Sequence, residues 1–111
     1  MLDHGFDSDP FPGNVPKLII QNTAGSFTWS KLTDQTGFHH GGAAADIDND
    51  GYVDLYIAGA DMSYGRGSGE MYRNNGDLTF TNITAQTGTA ATYTWAVRFC
   101  DYDNDGDMDL F

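Results

Sequence analysis

The segment Asp46-Ile47-Asp48-Asn49-Asp50-Gly51-Tyr52-Val53-Asp54 recurs as Asp101-Tyr102-Asp103-Asn104-Asp105-Gly106-Asp107-Met108-Asp109, with carboxylates at positions 1, 3, 5 and 9 of both copies. A hard divalent cation takes oxygen ligands at about 2.3–2.6 Å, and side chains two apart in a tightly wound loop can converge on one point. The chemistry this spacing offers is calcium binding, twice. Gly51 and Gly106 fill position 6, where the chain must bend and a positive φ costs glycine little. Position 7, Tyr52 or Asp107, can add its backbone carbonyl. One acidic turn alone could be merely solvated, because Asp, Asn and Gly favour turns for local reasons. Two copies with the same ligand pattern around a shared Asn-Asp-Gly core argue for a metal. Four carboxylates held together without one would repel, and a bound cation reverses that charge logic.

The residues after each loop separate the calcium motifs. An EF-hand needs a bidentate Glu at position 12 and flanking helices, but position 12 of the first copy is Ile57. The glycine-rich nonapeptide calcium repeat is also absent. Leu55-Tyr56-Ile57-Ala58 and Leu110-Phe111 come next, apolar and extended in pattern, so the ninth residue closes each loop as a strand begins.

The elements that must position these loops repeat as well. Lys17 to Thr28 aligns without gaps on Glu70 to Thr81 at an offset of 53, and the acidic loops are offset by 55. Leu32-Thr33 and Gln35-Thr36-Gly37 match Ile83-Thr84 and Gln86-Thr87-Gly88 at an offset of 51. A period of this length marks a solenoid, propeller or array. One unit reads as a strand near His40 to Ala45, the acidic loop, and a strand over Val53 to Gly59. An exposed Gly- and Ser-rich turn comes next, from Asp61 to Gly69, then strands near Glu70 to Asn74 and Thr79 to Thr84. Asn75-Gly76 predicts a tight hairpin between those two. Alternation places Val53, Leu55 and Ile57 on one core face, and Trp95, Val97 and Phe99 on the next. The small residues Gly41 to Ala45 permit close approach of neighbouring backbones. Four strands per unit is the blade pattern of a propeller, and the fold class expected is all-β.

Composition bounds the partners. The formal charge of −11 arises from 16 acidic against five basic residues, and nine of the aspartates lie in the two loops. Without a basic patch, nucleic acid is an unsuitable ligand. A hydrophobic content of 40 % excludes a disordered acidic tail. No stretch approaches the ~20 apolar residues of a membrane helix, and Met1-Leu2-Asp3-His4-Gly5 lacks the parts of a signal peptide, so any targeting segment is expected upstream. Cys100 is the single cysteine and reads as a small buried residue at a strand end. Calcium sites of modest affinity fill readily outside cells, which favours an extracellular or cell-surface location.

The acidic loops followed by Asp-Leu, together with Met71-Tyr72-Arg73-Asn74-Asn75-Gly76 and Phe80, resemble FG-GAP/VCBS-type calcium-binding β-propeller repeats, in particular the ASPIC/UnbV-like and cartilage acidic protein-like subgroup. The resemblance implies antiparallel four-stranded blades around a central axis, with about two blades present and the chain a fragment. It divides the sequence into 1–34, the outer strands of a preceding blade with an N-terminal loop; 35–88, one complete blade; and 89–111, the first part of the next. By similarity the two calcium sites would use Asp46, Asp48, Asp50, Asp54 and the Tyr52 carbonyl, then Asp101, Asp103, Asp105, Asp109 and the Asp107 carbonyl.

The function expected is a binding scaffold that recognises protein or glycan, with calcium structural and no catalytic residue assigned. The alternative is a piece of a propeller-fold polysaccharide lyase or hydrolase, which rests on fold analogy alone. Loops already rich in protein ligands favour structure over catalysis. His39-His40 read as a strand terminus rather than a general base. Tyr64 and Arg66 could bind a partner from the Gly-rich turn, but a solvated loop is the simpler expectation. Asn82-Ile83-Thr84 fits the N-glycosylation pattern, which matters only in a eukaryotic secretory context.

Overall fold

The structure, a computed structural model, describes residues 15–21, 25–33, 39–59 and 69–111. Among the described residues eight strands and one short helix run in chain order. They are β1 (Lys17–Gln21), β2 (Phe27–Lys31), β3 (His39–Ala45), β4 (Asp54–Gly59), β5 (Glu70–Asn74), β6 (Phe80–Asn82), α1 (Thr84–Thr87), β7 (Phe99–Cys100) and β8 (Asp109–Leu110). The architecture is all-β. A four-stranded antiparallel meander, β3-β4-β5-β6, is accompanied by the two-stranded sheets β1-β2 and β7-β8.

The acidic loops connect β3 to β4 and β7 to β8, as their spacing requires. The registers repeat too. Ala44 pairs with Leu55 and Ala45 with Asp54, while Phe99 pairs with Leu110 and Cys100 with Asp109, each at the offset of 55. Likewise Gln21 faces Phe27 as Asn74 faces Phe80, at the offset of 53. The β7-β8 pair therefore corresponds to the first half of the four-stranded sheet, and β1-β2 to its second half.

The buried cluster lies on the face of β4 opposite to the one alternation favours, although Ile57 and Tyr72 on the favoured face are buried too. Tyr56, Ala58 and Met71 form the buried cluster, and Ile47, Ile83, Val97, Phe99 and Leu110 pack against it. Asp54, fully buried, shares that face, whereas Val53 on the other parity is 52 % exposed. Apolar alternation points to Val53, Leu55 and Ile57, and only Ile57 of these three is fully buried. Both faces of β4 are apolar, so alternation cannot say which one the neighbouring sheet covers more completely. That neighbour is β7-β8, reached through Val97, Phe99 and Leu110. Trp95 is 55 % exposed rather than core. Its ring lies 4.2 Å from that of His40, and a Cβ on Gly41 would come within 2.9 Å of the Trp95 carbonyl oxygen. The small residues of β3 thus do allow a close backbone approach.

Other local expectations need correction. The β5-β6 connection is a five-residue loop in which the Asn75 N–H donates to the Thr79 carbonyl at 3.0 Å, not a two-residue turn. Asn74, Asp77 and Asn75 side chains bond within the loop, which stabilises the longer form. The strand expected to Thr84 ends at Asn82, where the Asn82 carboxamide oxygen accepts the Thr84 N–H at 3.0 Å and α1 begins. His39 and His40 form the first end of β3, and Cys100, expected to be buried, is exposed. Tyr64 and Arg66, and the Gly-rich turn from Asp61 to Ser68, lie outside the described residues.

Candidate metal centres

Each loop is folded by its own carboxylates. In the first, Asp46 accepts the N–H groups of Asp50 at 3.1 Å and Gly51 at 2.8 Å, one on each oxygen. Asp50 accepts the Tyr52 N–H at 2.8 Å. Asp54 accepts the Ile47 N–H at 3.0 Å. In the second loop Asp101 accepts from Asp105 and Gly106, both at 3.1 Å. Asp105 accepts the Asp107 N–H and Asp109 the Tyr102 N–H, each at 2.9 Å. Four hydrogen bonds recur atom for atom at the offset of 55.

The backbone makes this possible by turning left-handed at positions 4 and 6. Asn49 and Asn104 have φ of 58° and 61°, and Gly51 and Gly106 have 90° and 97°. Asn tolerates the first conformation and glycine the second, which is the physical content of the shared Asn-Asp-Gly core.

Within this frame Asp46, Asp48 and Asp50 bring carboxylate oxygens within 4.8 Å of one another, and Asp101, Asp103 and Asp109 do the same. Among the described residues Asp48 and Asp103 accept no hydrogen bond, leaving both oxygens for a cation. A donor set made entirely of oxygen, with three carboxylates converging and no sulfur or imidazole in it, fits a hard cation such as calcium.

The remaining members of the expected ligand sets stand differently. Asp105 is not part of the convergent trio, whereas its counterpart Asp50 is, although each accepts the N–H two residues further on. Asp54 is outside its trio, whereas its counterpart Asp109 is inside. At Asp54 the other oxygen accepts the Asn74 N–H of β5 at 2.7 Å, so both its oxygens bond to backbone, as those of Asp46 do within the loop. Tyr52 and Asp107 enter as position 7, each peptide fixed by its N–H bond to position 5. The side chain of Tyr52 lies instead against Gly76, and the Asp107 carboxylate accepts the Asn49 carboxamide at 3.3 Å from the other loop.

Two features were not singled out from the sequence. Asn74 anchors the first loop twice, through its N–H to Asp54 and its carboxamide to the Val53 carbonyl at 3.1 Å. Its place in the Tyr-Arg-Asn-Asn-Gly segment was visible, but its partner lies on another strand. Buried Glu70 accepts the Tyr72 hydroxyl at 2.6 Å, and burial with this acidic neighbour pushes the Tyr72 phenol up to about 12. His39 is buried with neither ring nitrogen hydrogen-bonded, and desolvation lowers its pKa. No partner acid, base or nucleophile is arranged around it among the described residues.

The family model of the FG-GAP-like repeat matches residues 46–111, from the first position of the first acidic loop through the whole second loop. No curated protein and no solved structure matches the chain.

Proposed function

The chain belongs to the FG-GAP-like repeat family, and on that premise we propose that it is a calcium-stabilised binding module of an extracellular protein. The observation that carries this reading is the pair of loops with the same four backbone bonds and a convergent carboxylate trio in each. Calcium in such a loop supplies positive charge and coordination where the sequence places mutually repelling carboxylates. Asp46, Asp48 and Asp50 would hold one ion and Asp101, Asp103 and Asp109 the other, with the carbonyls of Tyr52 and Asp107 as further donors. Asp54 and Asp105 lie outside the two trios, and Asp54 also ties the first loop to β5.

The role assigned to the ions is structural. The loops join strands that pack the core, so stiffening them holds the sheets, while the outer surface is left to recognise a protein or glycan. No helix of the described residues is long and apolar enough to cross a membrane. Thermal melting with and without calcium tests the reading. Calcium should raise the melting temperature, Asp46→Ala together with Asp101→Ala should abolish the rise, and an identical melt in chelator and in calcium would refute it.

A further inference from the structure

The two acidic loops touch. The Asn49 carboxamide of the first donates to the Asp107 carboxylate of the second at 3.3 Å, across 58 residues of chain. Asn49 sits between Asp48 and Asp50, two of the three carboxylates that converge in the first loop. Asp107 occupies position 7 of the second loop, where its N–H donates to Asp105 at 2.9 Å and its carbonyl is the further donor proposed for that loop's ion. One hydrogen bond therefore joins the ligand-bearing turn of one loop to a donor peptide of the other.

The partners are specific to this pair of loops. Position 7 of the first loop is Tyr52, which carries no carboxylate and turns its ring to Gly76. In the second loop the backbone bonds go to Asp101, Asp105 and Asp109, so the Asp107 carboxylate is left to face the first loop. Asn49 holds a left-handed backbone, φ 58°, between the two ligands, so fixing its side chain fixes the turn that presents both. A cation in the second loop orders the Asp107 peptide through its carbonyl, and with it the carboxylate that receives Asn49. The first loop then loses less conformational freedom when its own ion binds. Repulsion between two cations acts the other way, but it runs through solvent-exposed loops and is screened within about 8 Å at physiological salt. The Asp107 carboxylate, at the junction, offsets it further.

We propose that the two calcium sites are coupled through Asn49 and Asp107, so that filling either loop tightens the other, and that the Asp107 side chain is a positioning residue for the first site. The coupling rests on calcium occupying both loops, as proposed above. It is reciprocal, because linkage requires the same factor in both directions. One exposed hydrogen bond to a carboxylate sets its size at about three- to tenfold in affinity.

Calorimetric titration of calcium into the full chain measures the coupling. Asp48 and Asp103 accept no hydrogen bond among the described residues, so Asp48→Ala and Asp103→Ala each remove a ligand while leaving the loop's backbone bonds in place. They report the second and the first site alone. The coupling factor is the product of the two stepwise association constants of the unaltered chain, divided by the product of the two single-site constants. Expected is a factor of about 3–10. It should fall to one in Asn49→Ala and in Asp107→Ala, each with its own single-site references, and persist in Asp107→Asn, whose carboxamide oxygen still accepts. Asn49→Ala strains a left-handed residue, so Asp107→Ala decides if that variant fails to fold. Two ions bound with a factor of one or below, or a factor that survives Asp107→Ala, would overturn the coupling and leave calcium binding standing. No calcium bound by the unaltered chain would overturn both.

Discussion

Asp54 accepts the backbone N–H of Asn74 at 2.7 Å while its second oxygen accepts the N–H of Ile47 at 3.0 Å, so one buried carboxylate ties the acidic loop to the middle of the sheet. Asp54→Ala leaves two part-buried donors without partners. Each costs about 1–3 kcal/mol, so urea unfolding should show a loss of roughly 2–6 kcal/mol at unchanged slope. Asp109→Ala removes one exposed bond and should cost less than about 1 kcal/mol. Equal losses at the two positions would contradict the distinction.

Gly76 has φ of 82°, and a Cβ there would meet the Tyr52 ring at 2.8 Å. Gly76→Ala should therefore destabilise by roughly 1–3 kcal/mol, from the left-handed backbone and the collision together. Gly88, φ 67° with nothing within 4 Å, carries only the first of these. Adding Tyr52→Ala should recover part of the Gly76→Ala loss, and a double-mutant cycle measures that coupling.

How far the sequence reaches is visible in these two cases. The acidic loops were legible because their geometry is local: the Asn-Asp-Gly core sets the bends, and Asp at alternate positions sets the donors. The strands β3, β4 and β5 were legible for the same reason, and the repeat located the two hairpins. The strand each carboxylate reaches could not be read. The Asp54–Asn74 bond spans 20 residues, and the Asn49–Asp107 contact spans 58. Trp95 shows the same limit from the apolar side, since its alternation with Val97 and Phe99 is real but its ring sits at the sheet edge beside His40. The five-residue loop after Asn74 departs from the two-residue turn that Asn-Gly signals, because three polar side chains bond within it and support the longer form.

Buried His39 gives the protein an acid-sensitive step above the carboxylate range. Burial lowers its folded-state pKa below the ordinary 6.5, so its contribution is fully present above that value. As pH falls below 6.5 the unfolded chain takes up a proton that the folded one resists, and stability declines until the lowered folded pKa is passed. His39→Leu should flatten stability between pH 7 and 5, measured by urea unfolding. An unchanged slope would remove His39 from the account.

At the alkaline end the sign reverses. The Tyr72 phenol is raised from 10.0 to about 12, so its contribution is present below pH 10 and is lost as pH rises through about 12. Burial raises Tyr56 above 10.0 as well. Tyr72→Phe should reduce the alkaline slope without abolishing it. At neutral pH it should cost about 1–3 kcal/mol, because buried Glu70 loses its hydroxyl partner.

Calorimetric titration of calcium into chelator-treated protein tests the central claim most directly. The twin trios predict two ions per chain, one in Asp46→Ala, one in Asp101→Ala and none in the double variant. Saturation at about 100 times the dissociation constant should add about 2.7 kcal/mol of stability per site. No calcium bound by the unaltered chain, or two ions still bound by the double variant, would contradict it.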